Sequence, residues 1–199
     1  MEKRNITRFF KILDQELGLP ANVILTGAGA GTYMGQTRTS VDIDFEIATV
    51  PRNLDKLESA IARTIRKTGI AVNYSENIGG WSMIAFLDYR RHAVLIQKIG
   101  KIQLRLMAPE YWTIGKMVRF GENDLRDLED IIIKQKLRPD QLIVLWAKAI
   151  EGSSLSIELG QFRKNVCYFL TKYGNRVWGK NFKPQQAVET FLLKIKRKK

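Results

Sequence analysis

Two aspartates two positions apart, Asp42 and Asp44, stand out in the stretch "TRTSVDIDFEI" at 37–47. The residues between and around them, Val41, Ile43, Phe45 and Ile47, are apolar. Period-two alternation is the pattern of a β-strand with one buried face, and residues two apart project from the same face. Neighbouring carboxylates repel one another unless water or a cation screens them. The stretch therefore reads either as a strand with a solvated acidic face or as a carboxylate pair for a metal ion.

Two features beside the pair bear on that choice. The short apolar stretch "NVILTG", Asn22–Gly27, runs into "TGAGAG", Thr26–Gly31. Glycines in such a turn let backbone amides approach a phosphate closely. "GQTRT", Gly35–Thr39, places Arg38 just ahead of the acidic pair. The glycine cluster is neither a Walker A loop nor a Rossmann fingerprint, because G-K-[ST] is missing and the next strand carries D-x-D. Farther on, "GKMVRFGENDLRDLEDI", Gly115–Ile131, holds Lys116 with Arg119 and Asp127 with Asp130, each pair one helical turn apart. This block reads as an ion-paired helix surface or as a second cluster facing a ligand.

"LTGAGAGTYMGQTRTSVDIDFEI" resembles the signature of the polymerase-beta-type nucleotidyltransferase superfamily: a small-residue turn after a strand, then D-x-[DE] on the next strand. With its glycine and R-x-[TS] before D-I-D-F it is similar to the abortive-infection AbiEii-type nucleotidyltransferases, and the Lys116–Asp130 block resembles their later motif. The resemblance covers about residues 20–135. It implies Mg²⁺ (or Mn²⁺) held by Asp42 and Asp44, and a nucleoside triphosphate as substrate. It further implies catalytic roles for Asp42, Asp44, Lys116 and Asp127. Nucleotide contacts are implied for Gly27, Ala28, Gly29, Arg38, Thr39, Lys116, Arg119 and Asp130. A toxin's role, with an antitoxin protein as partner, belongs to the same expectation. Active members carry a third carboxylate on a later strand. Here "KIQLRLM" offers Gln103 and Arg105 instead, leaving Asp88 or Glu46 as substitutes. Without a third acid, the alternative is a catalytically inactive nucleic-acid-binding module on the same fold.

The elements that must position these residues follow from periodicity. Ile6, Phe9, Phe10, Leu13 and Leu17 mark a first helix, and Leu54, Leu57, Ile61 and Ile65 a second. Strands are expected at 22–27, 41–48, 70–76, 82–88, 92–99 and 101–107, with a short helix in "AGAGTYMG". From Pro109 onward the pattern is helical, clearest at 127–136, 139–150, 155–173 and 185–196, with loops at 151–154 and 174–184. The expected fold is α+β: a nucleotidyltransferase-like mixed sheet with flanking helices over 1–108, then a helical bundle over 109–199.

Composition narrows the partners. The 199-residue chain carries a net charge of +13. Residues 1–100 hold 13 basic and 10 acidic side chains, and residues 161–199 hold 11 basic side chains against Glu189 alone. That segment is either a solvated tail or a footprint for a phosphate-rich partner such as RNA. Its aromatics Phe162, Phe169 and Tyr173 fall at helical spacing and read as core. Trp81, Trp112, Trp146 and Trp178 read as core or interface anchors. Cys167 and His92 stand alone in kind, which excludes a zinc site, a disulfide framework and a Ser/His/Asp or Cys/His centre. No apolar run approaches membrane-spanning length, so a cytoplasmic protein without membrane contact is expected.

Overall fold

The computed structural model describes residues 1–35 and 40–195, and the chain divides into two units. The first comprises Met1–Ile78 with Arg90–Ala108. In chain order it contains α1 (Lys3–Leu17), β1 (Ala21–Thr26), α2 (Gly27–Tyr33), β2 (Asp42–Thr49), α3 (Leu54–Thr68) and β3 (Ala71–Ser75). A short α4 (Tyr89–His92), of which all but Tyr89 falls in this unit, β4 (Val94–Ile99) and β5 (Ile102–Leu106) complete it. The strands form one mixed sheet in the order β3-β2-β1-β5-β4. β1 runs antiparallel to β2 and parallel to β5, while β2 runs parallel to β3.

Alternation along β2 sets the two faces of this sheet. Ile43, Phe45 and Ile47 are completely buried. Phe45 meets Phe10 at 5.2 Å edge-on and stacks on Tyr74 at 5.9 Å. Helix α1 contributes Ile6, Phe9, Phe10, Leu13 and Leu17 to the same layer, the i, i+3, i+4 stripe of an amphipathic helix. It stops at Gly18, whose φ of 63° places it in the left-handed C-cap conformation. Helix α3 starts where the Asn53 side chain accepts the Lys56 amide and buries Leu57, Ala60 and Ile61. Val41, expected on the buried side, precedes β2 and is exposed.

The second unit joins Gly79–Tyr89 to the chain from Pro109 onward. Its helices are α5 (Pro109–Arg119), α6 (Glu122–Lys134), α7 (Pro139–Glu151), α8 (Ile157–Lys172), α9 (Gly174–Trp178) and α10 (Pro184–Ile195). Trp112, Trp146, Phe162, Phe169 and Phe191 fill the centre. The indole of Trp146 donates to Thr113 Oγ1 (2.9 Å), so its polar edge is satisfied inside the core. Trp81, by contrast, is exposed. Among the described residues no helix is long and apolar enough to cross a membrane.

Two expected elements differ. Residues 82–88 form no strand, although Ile84 and Phe86 are buried as the alternation requires. The Met83 amide donates to Glu158 Oε2 (2.7 Å) and the Ala85 amide to Ser153 Oγ (2.8 Å). Side chains thus take two amides that a strand partner would otherwise pair, and the backbone bends at 82–84. The expected loop at 174–184 contains α9. Trp178 in it donates its indole N–H to the Leu137 carbonyl (2.9 Å).

Phe45→Ala removes the ring on which α1 and β3 both pack. We expect a loss of about 3–5 kcal/mol in chemical denaturation. A loss under about 1 kcal/mol would show that this layer is not the core of the first unit.

Candidate functional site

Asp42 and Asp44 share the polar face of β2, and both are half-buried. In the adjacent parallel strand Asn73 lies opposite Asp44. Its Nδ2 donates to Asp42 Oδ2 at 2.8 Å and to Asp44 Oδ1 at 3.0 Å. One amide nitrogen therefore bridges two carboxylates. Ser40 Oγ donates to the other oxygen of Asp42 at 2.8 Å. These bonds supply positive dipole to two like charges held together on one strand.

Glycine at position 27 is explained by the same pair. Gly27 opens α2 with φ 57°, and a Cβ built there would lie 1.8 Å from Asp44 Oδ2. The Asp44 carboxylate occupies the space that any side chain would need. Ala28 and Gly29 follow in the first turn of α2, both buried. Gly29 packs over Ile43 at ordinary van der Waals distance for an added Cβ. Arg38 and Thr39, expected to touch the nucleotide, lie outside the described residues.

The substitutes for a third acid are engaged elsewhere. Glu46 is 5% exposed, and Arg90 grips it bidentately, Nε to Oε1 at 2.6 Å and Nη2 to Oε2 at 3.0 Å. The Ile78 amide also donates to Glu46 Oε2 (3.1 Å). Glu46 thus anchors Arg90 and the 76–78 turn. Asp88, in the second unit, accepts the Tyr111 hydroxyl (2.9 Å). Burial, then the Asp88 hydrogen bond and charge, push that hydroxyl up to about 12. Strand β5, with Gln103 and Arg105, pairs with β1 and β4, whereas the strand beside the aspartates on the outer side is β3. Asn73 is the residue sequence reasoning missed; its only signal was a polar side chain in the middle of the short strand "AVNYS".

The donor set suits a hard cation. Mg²⁺ and Mn²⁺ take oxygen ligands, and Asp42 and Asp44 present carboxylate oxygens. Turning over the Asn73 carboxamide would offer Oδ1 in place of Nδ2. Among the described residues no group of three or more His, Cys, Asp or Glu is arranged to hold a metal. The pair with a neutral third group is the set that fits.

The Lys116 block belongs to the second unit. Lys116 and Asp127 are 2% and 1% exposed, and their ion pair is 2.6 Å long. Lys116 Nζ also lies 3.1 Å from Asp124 Oδ1 and 4.9 Å from the Trp112 ring centroid. Its ammonium is enclosed by two carboxylates and an aromatic face, which ties α5 to α6. Arg119 is half in solvent and bonds Asp124. Asp130 is over a third exposed and pairs with Lys134 at 3.3 Å. Asp127 and Asp130, one turn apart, thus have different surroundings: one buried on Lys116, one on the surface.

Comparison with protein-family models, curated proteins and solved structures returned no match.

Asp127→Ala leaves the buried Lys116 ammonium with Asp124 as its remaining acid. Removing one partner of a buried pair costs about 3–5 kcal/mol, measurable by urea unfolding; a cost under about 1 kcal/mol would mean the lysine relaxes into water. A second expectation concerns pH. Burial raises the Asp124 carboxyl, but Arg119 and then Lys116 outweigh it, leaving the carboxyl below its ordinary value. A depressed carboxyl stabilises the fold above its unfolded value near 3.8, and that contribution disappears as pH falls through the lower folded value. Asp124→Asn should therefore shrink the acid limb of stability below about pH 4 and leave its shape unchanged near pH 7. Superimposable acid limbs would contradict this.

Proposed function

We propose that the chain is a divalent-metal-dependent nucleotidyltransferase that moves a nucleotidyl group from a nucleoside triphosphate to an acceptor hydroxyl. The observation that carries this reading is the carboxylate pair of Asp42 and Asp44, bridged by Asn73 and seated where Gly27 has no side chain. A pair held this way on one strand face, directly behind a glycine turn, suits binding a triphosphate through a cation. Mg²⁺ bound there would supply Lewis-acid stabilisation of charge developing at the α-phosphate. Asp42 and Asp44 hold their oxygens toward one point. Asn73 fixes their orientation, and the backbone near Gly27–Gly29 lies at hand for the phosphates.

RNA, tRNA included, is the acceptor class we favour. Support comes from exposed cations on the last helices and their connections: Arg163, Lys164, Lys172, Lys180 and Lys183. Such a surface attracts phosphate backbones in a salt-dependent way. The likeness to AbiEii-type enzymes adds a neutralising protein partner to the proposal.

One observation favours a second reading, a non-catalytic nucleic-acid-binding module. Asn73 already satisfies the aspartates with a neutral amide, and Lys116 is committed to two acids within the second unit. The two readings separate on nucleotide binding. The enzyme reading expects Mg²⁺ with a nucleoside triphosphate to raise the melting temperature, by about 2.7 kcal/mol of stabilisation at 100 times Kd. Asp42→Ala with Asp44→Ala should abolish that shift and the transfer of label from an α-labelled triphosphate to RNA. Salt-sensitive RNA binding that survives the double substitution, with no nucleotide shift in wild type, would favour the second reading.

A further inference from the structure

The polar face of the sheet holds more than the aspartate pair. Two positions along β2 from Asp44, a row of side chains crosses three strands: Glu46 on β2, Ile24 on β1 and Arg105 on β5, matched by register. The next row along β1 and β2 pairs Asn22 with Ala48. These residues, together with Arg90, line a cavity of about 480 Å³ within the first unit. That is a volume in the range of small-molecule sites.

Its electrostatics are uneven. Glu46 is neutralised by Arg90, and Glu76, at the rim, by Arg52. Arg105 is different: its Nη1 donates to the Ala93 carbonyl (3.2 Å) and its Nη2 to Gln103 Oε1 (3.4 Å), both neutral acceptors. Among the described residues Arg105 has no carboxylate partner within ion-pair distance. These two bonds aim a half-buried guanidinium and leave its charge uncompensated. Beside it Ile24 and Ala48 form an apolar floor, and Asn22 adds an amide. A planar fork of donors is suited to a carboxylate or phosphate, and an apolar floor to a small flat body.

We infer that this cavity is a binding site for a small organic oxyanion, its phosphate or carboxylate group on Arg105 and its body over Ile24 and Ala48. The site lies on the same face as Asp42 and Asp44 but shares no residue with that pair, and it stands whether or not the pair binds metal.

The test titrates the ¹⁵N-labelled full chain with phenyl phosphate, benzoate and phenol at low ionic strength, without divalent cations or nucleotides. Amide shifts of Ile24, Ala48 and Arg105 should saturate with phenyl phosphate, benzoate or both, the stronger binder identifying the anion. Phenol, lacking the charge, should leave them unmoved. Arg105→Gln should weaken binding at least tenfold, and Ala48→Leu, which fills the exposed floor without altering charge, should block it. Asp42→Asn with Asp44→Asn should bind as wild type does. Equal shifts from phenol, wild-type affinity in Arg105→Gln or in Ala48→Leu, or no saturating shift at these amides would each overturn the assignment. Spectra that keep wild-type dispersion certify that each variant is folded.

Discussion

Strand β2 carries apolar side chains on one side and acidic ones on the other. Ile43, Phe45 and Ile47 are completely buried, with Phe45 against Phe10 of α1, so Asp42, Asp44 and Glu46 must face the other way, three acids in a row on one strand. Three features of that polar face answer the resulting repulsion. Asn73 bridges the first two acids, and Arg90 clamps the third. Gly27 withdraws its side chain to let Asp44 stand close. A one-residue slip of register would place phenylalanine in water and aspartate in the core, which makes the arrangement self-specifying.

The two charged constellations obey opposite rules. Lys116 and Asp127 lie beyond water, with charges matched nearly one for one and an aromatic face against the ammonium. Such a pair fixes how two helices pack and has little left to offer a ligand. Asp42 and Asp44 are half-buried, and the Asn73 amide and the Ser40 hydroxyl donate to them. Arg105, by contrast, donates to the neutral Ala93 carbonyl and Gln103 Oε1.

Much of the scaffold was legible because it depends on local period. The stripe at Ile6, Phe9, Phe10, Leu13 and Leu17 announced α1, and the alternation around Asp42 announced β2 and the shared face of its acids. What escaped depends on pairing across distance. The partner of Glu46 is Arg90, 44 positions away along the chain, and no periodicity encodes it. The third group beside the aspartates lies on β3 because β2 and β3 pair in parallel, whereas reasoning along the chain looked to β5. The stretch 82–88 alternates like a strand, yet its Met83, Ile84 and Ala85 amides donate to the side chains of Glu158, Ser82 and Ser153. Alternation reports a buried side of an extended chain and is silent about what pairs with its backbone. The burial of Lys116 was equally hidden, since a lysine near acids on paper resembles any ion-paired surface.

The central claim is that Asp42 and Asp44 bind a divalent cation together with a triphosphate. Its most direct test is electron paramagnetic resonance of Mn²⁺ titrated into the protein with a nonhydrolysable nucleoside triphosphate, wild type beside Asp44→Asn. The expected result is a saturable loss of the free-ion signal in wild type, beyond that caused by nucleotide alone, and its absence in the variant. Identical titrations for the two proteins would contradict the account.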